Sequence, residues 1–185
     1  MNTITEWIAF GGGSILLLAG SRRALTHWGS HGSYRFVAWE AMLALLVLNI
    51  SVWGDDPLSA HQIVSWILLA ASIVPVAAGA RALWHHGALD RRREDPTLFR
   101  YEKTTRLVTT GAYRYIRHPL YGSLLLLAWG IFFKRIGLLT AVLVAVATVF
   151  LTLTARADER ECVTYFGPDY ADYMKRTKMF IPFVW

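Results

Sequence analysis

The stretch GAYRYIRHPLYGSLLLLAWGIFF, Gly111 to Phe133, decides how this chain folds. Its first half is polar, aromatic and basic, and from His118-Pro119 onward it turns apolar. Proline suits the first position of a helix, where its missing N–H would find no partner anyway. The stretch therefore predicts a helix that starts at Pro119 and enters a membrane. Arg117, His118 and Tyr121 then sit where that helix leaves the headgroup layer. An imidazole, a guanidinium and a phenol held together at such a place form a polar corner against an apolar wall.

Composition agrees with a membrane setting. The 185 residues are 55% hydrophobic and only 17% charged, and mean hydropathy is +0.36. That length fits one domain, expected to be a single integral membrane unit over 1–185. Eight Trp and eight Tyr suit aromatic belts at two membrane–water interfaces. The net charge of +6 lies mostly between apolar spans. Anionic headgroups and topology therefore account for it better than nucleic acid does. One cysteine, Cys162, excludes an intramolecular disulfide and any multi-cysteine metal site; no metal is expected. No cleavable signal peptide is expected, since Glu6 precedes the first apolar span and no small-residue cleavage site is clear.

Hydropathy outlines about five membrane segments, near 4–20, 36–53, 63–84, 119–133 and 138–155. The fold class expected is all-α and polytopic. The fourth span is short, so the fourth and fifth can form a hairpin that does not fully cross. Gly11-Gly12-Gly13 in the first span read as a close helix contact rather than a nucleotide loop, because no strand precedes them. Pro75 should kink the third span. Glu40 in the second is an intramembrane carboxylate, either functional or part of an interfacial salt bridge near the cytoplasmic end. Arg22, Arg23, Arg35, the Arg91–Arg93 run and the Lys175–Lys178 tail fall on one side of this topology, and Asp55-Asp56 on the other. An outside N-terminus and a cytoplasmic C-terminus follow, with Lys134-Arg135 on the wrong side of the rule. The connector 85–117 and the C-terminal helix then share the cytosolic face, where they can enclose one pocket.

Two motifs carry chemistry. RHPLY, Arg117 to Tyr121, taken alone reads equally as an interfacial anchor. ADERECVTYFGPDYADYMKRTKMFIPF, Ala157 to Phe183, taken alone reads as a solvated amphipathic helix ending at Gly167. In order, LVTTGAYRYIRHPLYG, an apolar hairpin and DER…YFGPDYADYMKRT…IP resemble the isoprenylcysteine carboxyl methyltransferase family. That family stands within the wider group of membrane methyltransferases that includes the phospholipid N-methyltransferases. The resemblance covers Thr104 to Pro182.

The resemblance implies S-adenosyl-L-methionine as cofactor, held in a cytosol-facing pocket without a Rossmann sheet; no GxGxxG follows a strand here. It implies that Thr105, Arg106, Leu107 and Val108 line the cofactor, with Tyr113 and the turn His118, Pro119, Leu120, Tyr121 completing the wall. The paired acids of the family fall on Asp158 and Glu159. The substrate-binding arginine of its eukaryotic members falls on Thr154, and the nearest arginine is Arg156. The catalytic set implied is Arg156, Glu159 and His118. Arg106, Arg114 or Arg117 suits the carboxylate of the cofactor, and the acids suit its ammonium or ribose hydroxyls.

The acceptor implied is lipophilic, a prenylcysteine-type carboxylate, entering from the bilayer. Methyl transfer from a sulfonium is an in-line displacement, so alignment in a dry cavity supplies most of the catalysis. A carboxylate acceptor needs no base. An amine must lose a proton, to His118 or Glu159. A phospholipid amine, a small hydrophobic thiol or acid, and a non-catalytic membrane protein that kept the fold remain alternatives. His85-His86 diverge on a helix, Cys162 reads as a packed or lipid-facing thiol, and Arg91–Arg93 as a headgroup-contacting run.

Overall fold

The computed structural model describes residues 3–87 and 104–184. Their order is α1 (Thr3–Leu25), α2 (His31–Asn49), α3 (Ala60–His86), α4 (Pro119–Phe132), α5 (Leu138–Phe166) and α6 (Pro168–Arg176), with single 3-10 turns at Ile50–Val52 and Gly111–Arg114. The architecture is all-α. Among the described residues four helices are long and apolar enough to cross a membrane, and α4 is a shorter apolar one. The Arg91–Arg93 run lies outside the described residues.

The bundle is built from two helix pairs, α2 along α5 and α3 along α4, with α4 against α5 and α1 flanking α2. Ala38, Ala41, Met42 and Leu45 recur at helical spacing on α2 and meet Val144, Ala147 and Leu151 of α5 and Ala128, Ile131 and Phe132 of α4. Alanines at these contacts let backbones approach closely, the usual means of packing helices in lipid. Of the four glycines in α1 only Gly13 makes such a contact: a Cβ there would lie 2.7 Å from Leu43 Cδ2, and Gly11, Gly12 and Gly20 face open space. Helix α3 runs on through Pro75. Glu40 stands midway along α2 rather than near its end, and its Oε2 accepts from Ser14 Oγ at 2.7 Å.

The length of α4 sets the position of everything functional. Its 14 residues span about 21 Å, against a hydrocarbon core of about 30 Å. Its far end is fixed. Phe133 O bonds His61 Nδ1 at 2.9 Å. The next residue, Lys134, is 2% exposed with Nζ 2.8 Å from Gln62 Oε1, 3.2 Å from the centroid of Trp66 and 5.1 Å from that of Trp53. The shortfall therefore appears at the near end. Pro119 abuts α3 at Gly79, where a Cβ would lie 2.9 Å from Pro119 Cγ. Beyond that level α3 continues for about 10 Å and α5 for about 12 Å. Between these two overhangs is a well, floored by the start of α4.

Candidate functional site

Three segments close the well. Helix α5 ends at Gly167, whose φ of +63° and ψ of −138° suit only a residue without Cβ. Pro168 then starts α6, which lays Tyr170 and Tyr173 inward. After α6 the tail pairs in parallel with the approach to α4: Arg117 N–H donates to Lys178 O at 2.8 Å, His118 N–H to Met179 O at 3.1 Å, and Lys178 N–H to Tyr115 O at 3.1 Å. Tyr173 OH donates to Tyr113 O at 2.6 Å. On the other side Thr105 and Arg106 N–H donate to Gly87 O, which ties the end of the connector to the end of α3.

At the floor His118 is 4% exposed, stacked on Tyr121 with ring centroids 5.5 Å apart and edged by Phe180. Its Nδ1 lies 3.5 Å from Asp158 Oδ2 and its Nε2 3.2 Å from Glu159 Oε1. Residues 41 positions apart along the chain thus meet because α4 begins where α5 still has two turns to run. Burial alone would lower the imidazole pKa, but the hydrogen bonds and charges of the two acids outweigh it and hold His118 above its ordinary value. Both ring nitrogens then donate. Arg117 completes the clamp. Its Nε bonds Glu159 Oε1 at 2.6 Å, and one terminal nitrogen bonds the carbonyls of Met174 and Thr177. Burial pushes the phenols of Tyr170 and Tyr173 above their ordinary range, so both stay neutral.

The well holds a cavity of about 110 Å³, open at its mouth and smaller than most small-molecule sites. Arg106, Leu107, Val108, Tyr113, His118, Leu120, Tyr121 and Asp158 line it. Thr105 points to the outside, Pro119 is spent on packing against Gly79, and Glu159 sits behind His118. Arg156 is exposed and outside the cavity, because two residues on a helix separate it from Asp158 by roughly 200°. Thr154 is fully buried and bonds Phe150 O. Among the arginines weighed for an anion, Arg117 is committed to Glu159, and Arg114 lies beside the ring of Tyr115 away from the cavity. The guanidinium of Arg106 lines the mouth without an ion pair or side-chain hydrogen bond among the described residues. The donor set therefore suits a ligand that carries both cationic and anionic groups.

Sequence reasoning missed part of the lining. Phe166, Tyr170 and Tyr173 form an aromatic wall, legible only as an i, i+3 aromatic pair on an amphipathic helix. Cys162 lines the cavity instead of facing lipid or core, with Sγ 3.8 Å from Asp158 Oδ1. Its spacing of four from Asp158 was the available signal.

A family model described as "Protein of unknown function (DUF1295)" matches residues 22–177. Methanethiol S-methyltransferase of Crocosphaera subtropica is 27% identical over 157 residues, covering 80% of this chain and 60% of that protein. Methanethiol S-methyltransferase 1 of Bradyrhizobium diazoefficiens is 30% identical over 77 residues, 42% of this chain and 26% of that protein. The chain thus spans less than two thirds of the length of each of these relatives. No solved structure matches. The family match takes in α2 to α6 and every side chain of the cavity, and the protein belongs to the DUF1295 family.

Proposed function

We propose that this membrane protein is an S-adenosylmethionine-dependent methyltransferase whose acceptor is a small thiol. The observation that carries the reading is the meeting, in one well, of Asp158 and of Arg106, which has no ion pair among the described residues, beside the His118 clamp. The names of the two relatives support the reaction class and the acceptor. The cofactor fits this donor set: Arg106 answers its carboxylate, Asp158 its cationic groups, and the wall of Phe166, Tyr170 and Tyr173 offers faces for a purine. When bound, it supplies a methyl group made electrophilic by the sulfonium.

The chain does the rest. Helix α6 and the paired tail exclude water from the floor of the well, where charge interactions are strongest. His118 holds the acids in place and is no base, since both of its nitrogens already face carboxylates. A thiol acceptor would gain positive charge as its sulfur took the methyl group and the donor's methyl–sulfur bond broke to leave a neutral thioether, and its proton would have to leave. Asp158 receives it, as the cavity carboxylate not tied to Arg117. Its Oδ1 already lies within reach of a thiol, that of Cys162. The proton then passes to water at the mouth.

A prenylcysteine-type carboxylate, or another lipophilic acceptor, is the second reading. It is favoured by an apolar groove of about 460 Å³ between α3, α4 and the tail, lined by Pro75, Ile116, Leu125 and Phe180. With Thr154 buried and Arg156 exposed, neither of these two positions offers an arginine to anchor such a carboxylate, which favours the thiol. Calorimetry of the detergent-solubilised protein with S-adenosylhomocysteine should give micromolar binding; none at millimolar ligand would exclude the enzyme. Labelled cofactor with methanethiol should yield a base-stable labelled thioether, and base-labile label in a membrane extract would mean an ester instead.

The well should face the cytoplasm. Lys134, buried against two tryptophans, no longer counts as a loop charge, so the opposite end carries Arg135 against Asp55 and Asp56. A membrane-impermeant thiol reagent should reach a cysteine placed at Asp56 in intact cells and not one placed at Arg176.

A further inference from the structure

The site has a third side, on α2, that no motif marks. Helix α2 starts at His31, where a Ser30 cap accepts from Ser33 N–H. Glu161, one turn beyond Asp158 on α5, reaches across to this start. Its Oε1 accepts from His31 N–H at 3.0 Å and its Oε2 lies 2.5 Å from His31 Nδ1. A carboxylate at a helix N-terminus is favoured by the unpaired N–H groups and the dipole there. The His31 ring, fully buried, is thereby turned toward α5, with a ring nitrogen within 4.8 Å of an Asp158 carboxylate oxygen. Arg35 lies four residues on, on the same helix face, and is 2% exposed. Its charge acts on Asp158 as well.

We infer that His31 and Arg35 are positioning residues: from α2 they fix the Asp158 carboxylate facing the well, against the pull of His118 from α4. This rests on the proposed cofactor site. Without α2, the nearest cation to Asp158 is His118 alone, and the acid would swing toward it and away from the cavity. His31, Asp158 and Glu161 could also ligate a cation. The balance of charge argues otherwise, because the His118 ring, held protonated, already lies against Asp158 and would repel one.

The test is S-adenosylhomocysteine affinity by calorimetry in detergent, on the full chain, with melting followed in parallel. Arg35→Met should weaken binding by about tenfold or more, and Arg35→Lys, which restores a charge, should recover most of it. His31→Gln keeps an N–H donor for Glu161 and loses the ring; it should weaken binding severalfold while the protein still melts cooperatively. If Arg35→Met does not fold, His31→Gln decides. Wild-type affinity in His31→Gln would overturn the inference, as would affinity that Mn²⁺ or Zn²⁺ raises and His31→Ala makes metal-insensitive, since the cluster would then be a metal site. Absence of binding by the wild type would instead sink the proposed function, a separate outcome.

Discussion

The two ends of the bundle bury cations in opposite ways. At the well, Arg117 and His118 are met by the carboxylates of Asp158 and Glu159, and the assembly borders a cavity. At the far end, Lys134 is met by one amide oxygen and the faces of two tryptophans. Gln62 spends its amide N–H groups on Val52 O and Lys134 O. The far end stitches the α2–α3 and α4–α5 turns together. The well pairs charge with charge and lines its cavity with Asp158 and with Arg106, whose guanidinium has no ion pair among the described residues.

The sharpest way to break the contrast is at the floor of the well. His118→Ala leaves two acids facing each other without their shared cation, and S-adenosylhomocysteine affinity should fall by about 100-fold, the scale on which truncating a buried charge partner acts. Calorimetry reads it directly.

Arg117→Met comes next. It strands Glu159 and unties the tail carbonyls, at a cost of about 3–5 kcal/mol. In a domain of this size that lowers the melting midpoint by roughly 10 °C, seen by scanning fluorimetry in detergent.

A third test uses pH. The His118 pKa is raised in the folded chain, so its contribution is fully present below the ordinary imidazole value near 6.5. It is lost as pH rises through the raised value. Melting temperature should therefore decline over that alkaline window in the wild type and stay flatter in His118→Gln.

The smallest effect belongs to the far end. Lys134→Met replaces a buried ammonium with an apolar chain of similar length, a change that is often neutral or stabilising. Stability should move by about 1 kcal/mol or less, and cofactor affinity should not change. A large loss of affinity there would erase the distinction between the two ends.

What the sequence disclosed follows the same division. The apolar spans, the proline start of α4, the acids after the fifth span and the glycine break at Gly167 are local patterns, and local patterns survive in one dimension. Which side of a helix a residue occupies depends on what packs against it. Arg156 and Asp158 look adjacent in the motif and stand on opposite faces of α5. His31 and Arg35 read as parts of a basic loop, yet they begin a helix and lie buried, because Glu161, 130 positions away, caps that helix. Lys134 reads as an exception to the charge rule and is interior. Glu40 reads as near an interface and sits midway along α2 against Ser14.

The brevity of α4 has one more consequence. Because the helix starts so deep between its neighbours, Tyr121 lines the well while Phe180, packed against it, lines the apolar groove beside it. Under the proposed function, a thiol dissolved among acyl chains would then be separated from an ionic donor by little more than these two rings. Two reactants that prefer different solvents would meet without either one leaving its own.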